Sequence, residues 1–119
     1  MAADLAKAVG DLTRAVRQCS GAILMGTDGV PVEQAVAASG ADLETVGGEY
    51  AGLLRQAQAL ATELECGAAQ RFTVRGMNHR VVFAFAQSDL VLGAQAGPRG
   101  LSGQMRYVIR RAVSELGEL

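Results

Sequence analysis

His79 is the only histidine in the 119 residues, and it stands at the end of "GMNH", beside a turn. A lone imidazole holds no zinc ion without other good ligands nearby. As a general base it would need a serine or cysteine nucleophile in a recognisable arrangement, and none accompanies it. A solvated turn histidine is the plainer reading. Cys19 and Cys66 form no C-x-x-C pair and read as buried thiols of a reducing cytosol, with a bridge between them the lesser alternative. Asp28 in "GTDG" lacks the further acids of a calcium loop, so it reads as a turn residue. The acids Glu33, Asp42, Glu44, Glu49, Glu63 and Glu65 are dispersed, with no general acid/base pair among them.

Phosphate chemistry fares little better. There are fifteen glycines, yet no G-x-G and no glycine followed by Lys-Ser or Lys-Thr, which removes both nucleotide-loop signatures. "GAQAGPRG" (93–100) precedes a helix and could seat an anion at its start, but a flexible connection explains it as well. Arg106 and Arg110 share a helix face at i, i+4, with Arg99 upstream and Arg111 adjacent. They read either as a docking surface for an acidic partner or phosphate, or as a solvated face answering the helix dipole. The second is the plainer reading. No enzyme, cofactor or metal is expected.

The elements that would carry any site follow from composition and periodicity. Half the residues are hydrophobic and 19% are charged, as in a globular chain. One domain over 1–119 is expected. A net charge of −1 argues against nucleic acid as a partner. The acids near the N-terminus do not suit a secretory signal, and the longest apolar runs, such as "VVFAFA", fall far short of the roughly 20 residues that span a bilayer. A soluble, cytoplasmic chain without membrane insertion is the expectation.

Leu5, Val9, Leu12 and Val16 make one stripe of an amphipathic first helix. Two apolar runs then flank Thr27-Asp28-Gly29, a hairpin signal, and Pro31 puts the second run at an edge or a bulge. Asp42 is placed to cap the longest helix, whose stripe reads Leu43, Val46, Tyr50, Leu53, Ala57, Leu60, Leu64 and ends near Cys66-Gly67. Next the period drops to two. "QRFTVRG", "HRVVFAFAQ" and "LVLGAQA" read as three strands, the second apolar enough to be central. Leu101, Met105, Val108, Ala112 and Leu116 stripe a closing helix that starts near Ser102. The order α-β-β-α-β-β-β-α implies an α/β (α+β) fold, with three helices flanking one five-stranded, mainly antiparallel sheet.

The long helix carries a puzzle. Gly47, Gly48 and Gly52 fall inside it, each costing roughly 1 kcal/mol relative to alanine. With Ala51, Arg55, Ala59 and Thr62, Gly48 and Gly52 lie on a flank beside the expected core stripe, and that flank is small apart from Arg55. Small residues let two backbones approach closely, so the flank reads either as an interface with a second copy or as room for a loop or bend. "QRFTVRG" raises a parallel point. At a sheet edge its free backbone groups could be satisfied by the same strand of another subunit.

Taken together, "GAILMGTDGVPVEQAV", "LETVGGEYAGLLRQAQALATEL", "RFTVRGMNHRVVFAFAQSDLVLGAQA" and "GLSGQMRYVIRRAVSEL" resemble the Roadblock family. This is the dynein light-chain fold shared with bacterial MglB-type regulators of Ras-like small GTPases. The resemblance covers nearly the whole chain through element order and spacing rather than through one specific motif. It implies a homodimer with paired second helices and joined third strands. Carried over by residue, Gly48, Ala51, Gly52, Arg55 and Ala59 would lie at the helix pair, and Phe72, Thr73 and Val74 on the joining strand. It also implies a Ras-like small GTPase bound across those helices, with Glu49, Gln56 and Glu63 as its contacts. Such a dimer would act as a non-catalytic adaptor or GTPase-activating regulator. The alternative is a small-ligand sensor of profilin-, GAF- or PAS-like build, which would need a pocket between the sheet and the helices.

Overall fold

The computed structural model describes residues 2–16, 18–36, 43–87, 89–97 and 102–117. In chain order the elements are α1 (Ala2–Ala15), β1 (Cys19–Gly26), β2 (Pro31–Val36), α2 (Leu43–Glu63), β3 (Arg71–Arg75), β4 (Arg80–Gln87), β5 (Leu90–Ala96) and α3 (Ser102–Gly117). This is the expected order. The cap at Asp42, Ser88 of the β4–β5 turn and residues 98–100 of the glycine-rich connection lie outside the described residues.

The strands form one antiparallel sheet in the order β2-β1-β5-β4-β3. The β1–β2 hairpin and the β3–β4–β5 meander meet through β1 and β5. The middle strand is therefore β5, not β4. The apolar purity of β4 still reflects an interior place, with a strand on each side and helices over both faces. Val82 and Ala84 face α1 and α3, while Val81 and Phe83 face α2. Both edges fall where the sequence put them. β2 is irregular at Pro31, where the register slips between Leu24 and Met25. β3 runs straight through five residues without a slip.

Two hydrophobic layers hold the sheet. Val9 and Leu12 of α1, Val16 just after it, and Met105, Ile109 and Ala112 of α3 cover one face and bury Leu24, Val82 and Leu92. On the other face α2 is the one described helix, over Ile23, Met25, Val81, Phe83 and Val91. Asymmetric cover has a consequence for β5. Gly93 sits opposite Phe83, whose ring lies where a Cβ would be, at 2.5 Å. The ring can lie flat there only because position 93 has no side chain.

Candidate functional site

The line of α2 that meets the sheet is Gly47, Tyr50, Ala51 and Leu54. The expected stripe is turned away from it, and Leu53, Leu60 and Leu64 are 49%, 54% and 63% exposed. The cause is closeness. A Cβ on Gly47 would stand 2.8 Å from the Met25 Sδ and 3.5 Å from the Ile23 Cδ1, so α2 rests on β1 through its smallest residues. Tyr50 fills the remaining space, with its ring centroid 5.1 Å from that of Phe83 and 6.3 Å from that of Phe72. Met25, Leu54, Tyr50 and Phe83 thus occupy the space under α2.

This rotation gives α2 two unlike flanks. On the hairpin side, Gly29 of the β1–β2 turn, at φ +88°, approaches the Gly48 Cα and Ala51 Cβ. The Arg55 Nη1 donates to the Thr27 carbonyl oxygen at 2.6 Å and ties the helix to the same turn. Ala51 is only 2% exposed and belongs to the protomer's own packing. Gly52 and Ala59 continue this side outward. A Cβ added to Gly48 meets nothing within 4 Å, and one on Gly52 meets only the Arg55 side chain at 3.9 Å. On the opposite flank, Leu53, Leu60 and Leu64 follow Tyr50 at helical spacing toward the meander. Glu49, Gln56 and Glu63 run between the flanks along the outermost line, each exposed and seven residues from the next.

β3 reaches this flank of α2 through the contact of Phe72 with Tyr50. Among the described residues its only strand partner is β4, so its outer backbone groups have no described strand beside them. Phe72 and Val74 point to the α2 face and are half-buried; Arg71, Thr73 and Arg75 are exposed. The residues expected at a dimer seam therefore fall into two groups. Phe72, Thr73 and Val74 lie on the leucine side of α2, whereas Gly48, Gly52, Arg55 and Ala59 lie on the hairpin side. Leu53, Leu60 and Leu64 were missed as surface residues because, by periodicity, an exposed apolar stripe reads as a core.

Chemical groups are sparse on this surface. Hydrogen bonds from Lys7 and then Arg14 hold the Asp11 carboxyl below its ordinary value, and Asp11 raises Lys7 in return. All three are exposed on α1. Burial pushes the Cys19 thiol up; Cys66 is exposed, and both cysteines are free. Among the described residues no group of His, Cys, Asp and Glu could hold a metal ion, and no helix is long and apolar enough to cross a membrane. His79 is exposed at the β3–β4 turn, its carbonyl oxygen accepting from the Gly76 N–H at 2.9 Å.

A five-stranded antiparallel sheet thus carries one long helix, α2, on one face and two helices, α1 and α3, on the other. Residues 5–96 match the Roadblock/LC7 domain, and the chain belongs to that family. Myxococcus xanthus MglB superposes with a TM-score of 0.89 at 18% identity, over 98% of this chain and 87% of that one. A Roadblock/LC7 domain from Streptomyces avermitilis gives 0.83 at 15% identity, over 93% and 92%. MglC from Myxococcus xanthus gives 0.68 at 24% identity over the full length of both. At these identities the likeness is one of fold. No curated protein sequence matches the chain.

Proposed function

We propose that the chain is a non-catalytic homodimeric regulator that binds a Ras-like small GTPase. Membership of the Roadblock/LC7 family and the shared fold of MglB support the class. The observation that carries the dimer is the coincidence of a leucine flank with a bare edge strand. Leu53, Leu60 and, just past the helix, Leu64 are 49% exposed or more, on the flank where Tyr50 meets Phe72 of the edge strand β3. Pairing β3 with its copy completes the ladder and brings the two leucine flanks together, so both liabilities are removed by one contact. Phe72, Thr73 and Val74 then lie at the seam.

The GTPase takes the outward surface of the paired helices. Glu49, Gln56 and Glu63 supply the polar line, while Gly48 and Gly52 let a partner's backbone come close. A glycine whose Cβ would meet nothing costs helix stability without return inside the protomer, and a partner supplies the return. Light scattering tests the first half: a native dimer is expected, and a native monomer overturns it. Pull-down with GTP- and GDP-loaded Ras-like proteins tests the second. The Gly48→Leu/Gly52→Leu pair is expected to stay dimeric and lose the GTPase; retention of full binding removes the glycine flank from the contact.

A further inference from the structure

The face of the sheet opposite α2 holds an open cleft of about 710 Å³ between α3 and the β3–β4 edge. Its rim is basic. Arg106 and Arg110 enter from α3 one helical turn apart, and Arg71 enters from β3, whose register with Ala84 turns it toward the same side. The floor is apolar, made by Ala84, Ile109 and Val113. No acidic side chain lines the cleft among the described residues. None of these three arginines makes an ion pair with a described residue. Arg111, the neighbour of Arg110, points elsewhere and reaches Glu115 at 3.9 Å. In a chain whose charges nearly cancel, with eleven basic and twelve acidic residues, three convergent guanidiniums without an acid are a marked segregation.

We propose that this cleft docks an acidic peptide segment of a partner protein, with carboxylates on Arg71, Arg106 and Arg110 and an apolar side chain on the floor between them. The guanidinium fork suits carboxylates geometrically, and water-shielding by the floor strengthens each contact. A bare phosphate would use the rim and leave the floor idle. A nucleic acid would need basic surface well beyond the cleft, which a net charge of −1 does not supply. Arg71 lies within the family match, and the two α3 arginines lie beyond residue 96, where that match ends. The site lies across the sheet from the GTPase surface and does not depend on it.

The test uses the full chain and a fluorescein-labelled dodecapeptide of Glu-Glu-Leu repeats, with a Gln-Gln-Leu peptide as its uncharged match. Anisotropy is expected to rise with the acidic peptide only, and the affinity to fall as salt increases. Arg106→Gln/Arg110→Gln should weaken binding by about tenfold or more, and Arg71→Gln by several-fold, while Arg111→Gln leaves it unchanged. All four positions are exposed, so folding is preserved. Cys66 lies at the mouth of the cleft and is the exposed thiol, which locates the event. The acidic peptide should slow its reaction with bromobimane. Equal binding of the glutamine peptide, an equal loss in Arg111→Gln, an unprotected Cys66, or tighter binding of a single-stranded oligonucleotide overturns the proposal. A Leu60→Asp/Leu64→Asp variant that loses self-association but keeps the peptide separates this site from the dimer reading.

Discussion

The two flanks of α2 differ in a way that helix stability alone does not explain. The hairpin flank is poor in side chains, with Gly48 and Gly52 open and Arg55 bonded back to the Thr27 carbonyl. The meander flank is rich, with three leucines left half in water. A lone protomer gains from neither arrangement. Glycine raises the unfolded chain's entropy advantage, and exposed leucine forgoes roughly 1.5–3 kcal/mol of burial per side chain. Together they indicate a helix whose surroundings are incomplete in one chain, each side wanting a different neighbour. The leucine side wants bulk apolar burial and the glycine side wants close approach.

Replacing Leu60 and Leu64 by aspartate should break the comparison most severely. Four leucines leave a symmetric seam at once, and self-association should weaken by on the order of 100-fold or more, read as a monomer mass by light scattering. Because both leucines are exposed in the protomer, circular dichroism should be unchanged. A dimer that persists would place the seam elsewhere.

Smaller changes sharpen the contrast inside the protomer. Gly93→Ala drives a Cβ into the Phe83 ring and Gly47→Ala drives one into the Met25 Sδ, so each should lower stability by about 1–3 kcal/mol, seen in the urea midpoint. Gly48→Ala, one residue along, should do the reverse and stabilise by up to about 1 kcal/mol, since nothing opposes the added methyl. Equal effects at positions 47 and 48 would contradict the rotation of α2. Arg55→Ala should cost least, about 0.5–1 kcal/mol, because its bond to the Thr27 carbonyl oxygen is exposed; faster amide exchange in the β1–β2 turn checks it.

Much of the fold was legible because its signals are local. Asp28-Gly29 marks a hairpin by backbone conformation, and Gly29 indeed sits at φ +88°. Pro31 lacks a donor and so falls at an edge with a slipped register. The alternation of Arg71, Phe72, Thr73, Val74 and Arg75 appears as alternating exposure on β3. The C-terminal stripe held for Met105 and Ala112, though Ile109 shares it and was not singled out. The failure was the rotation of α2. Periodicity finds the strongest apolar line on a helix, and here that line faces outward, while the inward line is built from Gly47, Ala51 and Leu54. A helix that lies close on a sheet needs small residues at the contact, and small residues are weak hydrophobic signals.

The site was legible in the same partial way. The unusual glycines, the edge strand and the arginines of α3 all stood out by type and spacing. Their grouping did not. Whether Phe72 shares a surface with Gly48 or with Leu60 depends on how α2 is turned over β1. Arg71 meets Arg106 and Arg110, far from it in sequence, only because β3 registers with Ala84 of β4 under α3. The sequence by itself determined the elements, their order and the two edges, because turns, prolines and side-chain periods act within a few residues. The tertiary structure alone decided strand order, helix rotation and which charges converge, because those follow from which surfaces can pack most closely across the whole chain.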